Sequence, residues 1–377
     1  MSQQPPEVVV VPTPGLGNST YLVGTGTEAI VIDVPRDAWR IAEIAEEHGW
    51  RISHALETHV HNDYLSGARE LEAVHGTRIV APGRGDYAFG HVAATEGHEI
   101  PVGGGGLVAR ATPGHTPEHL SWEMQDGAGV PSVLFSGGSL LIGGVGRTDL
   151  LGSARTAEMT EAQVRTMRRL SELPEEDVVR PTHGAGSVCV AGEVDLGGVA
   201  TIGALRRWNP AFAATDLVTF ESELAAGRTL YPAYYRRMAP LNRRGPRRLD
   251  GPLVPQAMTT ERFAEARAAG AWVIDARDRW AFAEVHVQGA WNIEAGDAFA
   301  AYAGWLLPFD APIVLIVDSP EQEVDVRDEL LRIGFDHVLG HLAGGMDAWL
   351  AVGGETSSYA TASWEELRAP GDERVLD

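Results

Sequence analysis

Three segments set histidines where a metal ion could be held: Thr58-His59-Val60-His61-Asn62-Asp63-Tyr64, Thr112-Pro113-Gly114-His115-Thr116 and Pro181-Thr182-His183-Gly184. Alternation along an extended turn puts His59 and His61 on one side, which lets two imidazoles converge on one cation. His115 and His183 each follow a strand-like run, beside Pro and Gly that shape a loop end. Four histidines at strand ends are hard to explain as packing, so a metal centre is the chemistry expected. Cys189 is the only cysteine, which excludes an intrachain disulfide and a thiolate zinc cluster. Any metal is left to His and carboxylate ligands.

The surrounding pattern supplies elements to position these residues. Glu7–Val11, Ser19–Val23 and Ala29–Val34 read as strands, and Ile41–His48 as a helix through Ile41, Ile44 and Ala45. Arg51–Glu57 is expected as the strand before the first histidine pair and Gly67–His75 as the helix after it. Arg78–Ala81, Leu107–Ala111, Val133–Phe135 and Val178–Arg180 read as further strands, with a hairpin at Gly103–Gly106. Between the last two strands Glu158–Leu173 has amphipathic spacing, and Thr160 with Gln163 suggests a capping box. From Trp208 to Leu253 the composition turns to Tyr, Pro and Arg, expected as the end of a first domain plus a linker. A second α/β pattern follows: helix Glu261–Ala269, strand Trp272–Asp275, strand Ile313–Asp318 and helix Val324–Ile333, with a parallel sheet expected.

At 377 residues the chain exceeds one comfortable core. Its 44% hydrophobic and 22% charged content is that of a globular protein. Thirty basic residues, all Arg, against 52 acidic ones leave a net charge of −22, which makes nucleic acid a poor partner. No positively charged apolar leader and no apolar stretch of roughly 20 residues occurs, so a cytoplasmic protein without membrane spans is expected. A homo-oligomer is also expected.

With these motifs in place, the chain resembles the metallo-β-lactamase superfamily and, within it, the persulfide dioxygenases, including bacterial forms fused to rhodanese domains. The family pattern is similar to His-x-His-x-Asp-His, a Pro-Gly-His-Thr segment, a Gly-Asp pair after a strand and a late His. Here His59, His61 and Asp63 match the first part, His115 the second and His183 the last. The run Gly146-Arg147-Thr148-Asp149 is similar to one typical of the dioxygenase branch. The resemblance implies an α+β domain, an αββα sandwich over about residues 1–250, then an α/β rhodanese-like domain over 256–355 and a tail from 356 to 377.

Two positions depart from that pattern. Tyr64 stands where the family has a third motif histidine, and Gly138, in Ser136-Gly137-Gly138-Ser139, where a metal-binding Asp is expected. The resemblance implies iron held by the first motif His, the Pro-Gly-His histidine and that Asp. His61 is expected to replace the Asp, giving one divalent metal on His59, His61 and His115, with Fe(II) favoured and Zn(II) the alternative. Asp63, His183 and Tyr64 are then the candidates for orienting ligands or moving protons.

The implied substrates are O₂ and a low-molecular-weight thiol persulfide such as glutathione persulfide, giving sulfite and thiol. Arg147 is a candidate to bind a substrate carboxylate or to pair with Asp149. Cys189 reads as a small buried hydrophobe or, at the pocket, as a persulfide carrier. Two other readings remain: zinc-dependent hydrolysis of a thioester or lactone, and a degenerate protein kept for binding.

Val273-Ile274-Asp275-Ala276-Arg277 with Glu284, His286 and Gly289–Ile293 resembles the opening of a rhodanese domain, and Gly344–Trp349 its close. Asp318 occupies the place of the nucleophilic cysteine, and Glu321 and Glu323 follow it. A carboxylate cannot form a persulfide, so this domain is expected to be inactive in sulfur transfer. Asp275 and His286 are expected as anchors of its fold.

Overall fold

The computed structural model describes residues 6–13, 15–184, 187, 189–191, 200–213, 219–222, 230–249, 251–254 and 256–362. The chain divides into two compact units, Met1–Leu253 with Asp328–Gly334, and Val254–Arg327 with Phe335–Asp377. Residues 363–377 of the expected tail, and 214–218 and 223–229 of the expected linker, lie outside the described residues.

In the first unit β1 (Glu7–Thr13), β2 (Asn18–Thr25) and β3 (Glu28–Ile32) pair antiparallel. The sheet continues in parallel through β4 (Arg51–Leu56), β5 (Arg78–Pro82) and β6 (Val92–Ala94). The second sheet uses β7 (Glu99–Val102), β8 (Gly105–Ala111), β9 (Leu120–Gln125) and β10 (Pro131–Gly137). Beyond the short β11 (Val145–Gly146) come β12 (Val178–Pro181), β13 (Val190–Ala191) and β14 (Ala200–Thr201), and the sheet order is β14-β12-β10-β9-β8-β7.

Period-two alternation explains the layering. Tyr21, Val23, Ile30 and Ile32 meet Leu107, Ala109, Trp122 and Phe135 between the sheets, while Leu22, Ala29 and Val31 face outward into a second core. Helices α1 (Ala38–Glu47) and α2 (Ala68–His75) cover that outer face with Ile41, Ala42, Ala45, Ala68 and Leu71. Leu134 and Val179 do the same on the other sheet, against Met167 and Leu170 of α3 (Ser153–Leu170) and Leu205 of α4 (Ile202–Trp208). Helix, sheet, sheet, helix is therefore the order of layers. Each fully buried aliphatic side chain contributes about 1.5–3 kcal/mol.

One local expectation is corrected. Helix α3 starts at Ser153 behind Gly152, so Thr160 and Gln163 lie inside it and cap nothing. Their side chains also reach outside the helix: Gln163 Nε2 donates to Ser139 O at 2.8 Å, and Thr160 Oγ1, which donates to Thr156 O within the helix, lies 2.8 Å from Thr148 Oγ1. The segment expected as linker contains α5 (Pro210–Ala213) and α6 (Tyr235–Arg244), and α6 packs on the histidine motif. Asn242 accepts from Ser66 N at 2.9 Å and donates to His61 O at 2.9 Å and Tyr64 O at 2.8 Å.

The second unit holds a parallel sheet in the order Ala257–Met258, Val338–Leu342, Ile313–Ile316, Trp272–Asp275, Trp291–Asn292. Its core joins Val273, Val314 and Ile316 to Phe263, Met346 and Trp349. Among the described residues no helix is long and apolar enough to cross a membrane.

Candidate metal centre

Asp33 fastens the strand ends that carry the site. It follows β3 with φ at 55°, a left-handed conformation that Asp tolerates better than most residues. Its carboxylate accepts from Thr58 N and Thr58 Oγ1, each at 2.7 Å, and from Thr182 Oγ1. The ends of β3, β4 and β12 are thereby tied together, and His59 and His183 stand one residue beyond the two threonines.

Hydrogen bonds assign the protons on three rings. Thr58 Oγ1 donates to Asp33, so it accepts from His59 Nδ1 at 2.8 Å. His115 Nδ1 donates to the Arg147 carbonyl at 2.9 Å, and His183 Nδ1 to Asn18 Oδ1 at 3.0 Å. Asn18 Nδ2 is committed in turn to Asp63 Oδ2 at 2.8 Å, which fixes its amide. Each ring therefore turns an unprotonated Nε2 inward. His59 Nε2 and His183 Nε2 lie 3.4 Å apart, and His115 Nε2 is buried without a partner. One ligand atom from each of His59, His115 and His183 lies within 4.8 Å of the others. Converging lone pairs repel unless a cation or proton lies between them. Burial and the neighbouring imidazoles hold His59 well below the ordinary imidazole pKa, and burial with His183 nearby takes His115 down to about 3. Both rings stay neutral, the form that ligates metals. The residues present fit a divalent metal on this donor set.

His61 does not join His59 and His115 as expected. Its Nε2 turns to Glu57 Oε2 at 3.2 Å, Asp33 Oδ1 at 3.3 Å and the Tyr64 hydroxyl at 3.0 Å. Burial would lower its pKa, but Asp33 and Glu57 prevail and raise it to about 10. Asp33 and Glu57 thus hold the Nε2 side of this ring, and His183 rather than His61 completes the candidate donor group with His59 and His115. Ligand atoms of His61, Asp63 and His183 also gather within 4.8 Å, as do those of Asp33, His59 and His61. Although burial opposes it, His183, His61 and Asn18 hold the Asp63 carboxyl below the usual range and ionised. Asp63 Oδ1 and His61 Nδ1 are buried without a partner.

Position 138 explains how two rings come so close. A Cβ on Gly138 would lie 2.4 Å from His115 Cδ2 and 3.0 Å from His183 Cδ2, so these rings occupy the space a carboxylate would need. Gly114 is required for a second reason: its φ is 150° and a Cβ there would lie 2.7 Å from the Gln163 backbone.

The remaining expected residues sort by geometry. Arg147 holds Asp149 through two bonds of 2.8 Å, and its guanidinium lies over the Tyr231 ring at 4.8 Å. The contact with Asp149 is the pairing that the sequence allowed, and the Arg147 backbone carbonyl orients His115. Cys189 is fully buried, 3.8 Å from the Tyr235 hydroxyl, and burial pushes its thiol pKa up, which keeps it protonated. In the second unit Asp318 is exposed after its strand, and its N–H donates to Gln322 Oε1 at 2.7 Å. Asp275 pairs with Arg277 at 2.7 Å, and His286 Nδ1 donates to Phe282 O at 2.7 Å.

Several site residues escape a sequence reading. Asp33, Glu57 and Asn18 lack a motif, and α6 carries its contacts from far along the chain. His119 had a signal, the four-residue step from His115 in His115-Thr116-Pro117-Glu118-His119. Glu118 accepts from Val60 N at 2.9 Å and braces the histidine loop.

Comparison with known proteins agrees with this architecture. A model described as metallo-beta-lactamase superfamily matches residues 13–183, and one described as rhodanese-like domain matches 259–352. A hydroxyacylglutathione hydrolase of Cereibacter sphaeroides is 35% identical over 188 residues, covering 48% of this chain and 67% of that enzyme. The mitochondrial persulfide dioxygenase ETHE1 of Homo sapiens is 33% identical over 170 residues, covering 44% of this chain and 63% of that enzyme. The chain thus spans about two thirds of the length of these relatives. A crystal structure of a metallo-beta-lactamase from Staphylococcus aureus subsp. aureus COL superposes with a TM-score of 0.79 at 29% identity, covering 90% of this chain and 99% of that one. ETHE1 from Myxococcus xanthus gives 0.54 at 25% identity, covering 63% and 98%. The chain belongs to the metallo-β-lactamase superfamily and carries a rhodanese-like domain after its metallo-β-lactamase domain.

Proposed function

We propose that the first domain is a mononuclear, non-haem iron persulfide dioxygenase, with His59, His115 and His183 as the protein ligands. The observation that carries this reading is the trio of inward Nε2 atoms beside a residue 138 with no room for a carboxylate. Three neutral ligands leave open positions for two small reactants, whereas hydrolases with paired metals rely on a carboxylate that holds both ions. A bound Fe(II) would supply the redox chemistry that joins O₂ to an anionic sulfur. The overall change balances as one thiol persulfide, one O₂ and one water giving one thiol, one sulfite and two protons.

The chain's own residues prepare and clear the site. Thr58, the Arg147 carbonyl and Asn18 hold the three ligand tautomers. Asp63, ionised and with Oδ1 unpartnered, offers that oxygen as a hydrogen-bond acceptor beside His183. Tyr64 and Glu57 keep His61 in place beside Asp63. The buried ligand shell excludes bulk water. Cys189, protonated and buried against Tyr235, and Arg147, engaged by Asp149, serve as packing and orienting groups.

The hydroxyacylglutathione hydrolases among the relatives favour a second reading, zinc-dependent cleavage of a glutathione thioester. One experiment separates the two. Purified protein is analysed for metal and then given glutathione persulfide in an oxygen electrode, or a hydroxyacylglutathione thioester in a spectrophotometer. Iron with stoichiometric oxygen uptake is the expected result. Zinc with thioester cleavage would establish the hydrolase, and neither activity would leave a binding protein.

A further inference from the structure

His119 belongs to none of the three donor groups, yet it is fully enclosed by the site. The Gly138 N–H donates to His119 Nε2 at 3.0 Å, so the ring proton is on Nδ1 and is given to Thr112 Oγ1 at 2.8 Å. Thr112 Oγ1 in turn reaches Ser121 Oγ at 2.9 Å. With both nitrogens engaged, His119 has no lone pair to offer a metal. Its face lies on the His59 ring, centroids 4.9 Å apart and planes 21° from parallel. It therefore touches both sides of the candidate centre: the ring of one ligand, and the peptide against which the His115 and His183 rings close.

We propose that His119 is the positioning residue of the centre, locking the 137–138 turn and the His59 ring in the places where a bridging carboxylate would otherwise organise the metal. This rests on the reading of His59, His115 and His183 as ligands. The physical reason lies in position 138. With only glycine there, the turn has no side chain tied to the metal, and without an acceptor behind it the Gly138 N–H would be buried and unpaired. His119 supplies that acceptor, and its bond to Thr112 holds the ring proton on Nδ1, so that Nε2 keeps its lone pair. The other tautomer would put two N–H donors face to face and push the turn into the His115 and His183 rings.

The test is Co(II) titration of the purified full chain, reading the dissociation constant and the visible ligand-field spectrum, with thermal unfolding of the metal-free protein as control. His119→Leu removes both bonds, His119→Gln keeps an acceptor for the Gly138 N–H, and Thr112→Val releases the ring proton and the Ser121 hydroxyl while leaving the imidazole in place. His119→Leu and Thr112→Val should each weaken Co(II) binding roughly 10–100-fold and alter the spectrum. His119→Gln should recover most of the affinity. Thr112→Val, being nearly isosteric, decides the matter if His119→Leu does not fold. Wild-type affinity and spectrum in Thr112→Val, or equal losses in His119→Gln and His119→Leu, would overturn the proposal. A wild-type chain that takes up no Co(II) would instead overturn the metal-centre reading beneath it.

Discussion

Three imidazoles whose Nδ1 protons are all committed to oxygen acceptors leave their Nε2 lone pairs facing one another, an arrangement that a bound cation stabilises. Removing one of them should act on the metal. His183→Ala is expected to lower metal affinity by on the order of 100-fold or more, read as Co(II) titration. His61→Ala should act on stability, because Asp33 and Glu57 would stay buried without their counter-charge. A loss of about 3–5 kcal/mol in denaturant unfolding is expected, with metal binding largely kept. The reverse pattern would restore the set expected from the motif alone. Gly138→Ala should destabilise by about 1–3 kcal/mol and weaken metal binding, since the added carbon would meet the His115 and His183 rings. At this scale the sequence names the histidines, because their spacing and strand-end settings are visible in it. It does not show which rings face one another, since Asp33, which turns His61, stands 28 residues before it and outside any motif.

At the scale of elements, α6 decides how well the histidine loop is held. Asn242 makes three hydrogen bonds to the backbone of residues 61–66. Asn242→Ala would leave those groups buried and unpaired, and unfolding in urea should show a loss of about 2–4 kcal/mol. A loss under about 0.5 kcal/mol would contradict the bracing role. Asp177, just before β12, offers a pH test on a group outside the candidate donor set. Burial, with Glu123 and Glu176 nearby, pushes its carboxyl up to about 6. A raised folded pKa means that the folded state binds the extra proton, so this contribution is fully present below the usual carboxylate range and is lost as pH rises through about 6. Asp177→Asn should therefore raise Tm at pH near 8 and have little effect at pH near 4, by calorimetry at both values. Strands with clean alternation, such as β2 and β3, are legible in the sequence. β9 is not, because Leu120, Ser121, Trp122 and Glu123 are all buried, which erases the two-residue period. α6 is hidden by its Tyr, Pro and Arg content, which reads as a connection until its tertiary contacts are seen.

For the whole molecule, the layered first domain is legible because apolar alternation and helix spacing agree along its length, and the second because its strands and helices alternate. The charge of −22 spreads a repulsive field against polyanions, in keeping with a small-molecule substrate. In the second domain Asp318 stands at the end of the Ile313–Ile316 strand with its amide taken by Gln322, so thiosulfate-to-cyanide sulfur transfer should stay at the background rate. A single ion held by His59, His115 and His183 underlies the proposed chemistry. X-ray absorption at the metal edge, on protein loaded with iron and checked for stoichiometry, reads this directly. The expected result is one metal per chain with three imidazole ligands, falling to two in His183→Ala and remaining three in His61→Ala. Two metals per chain, or three imidazoles still present in His183→Ala, would contradict it.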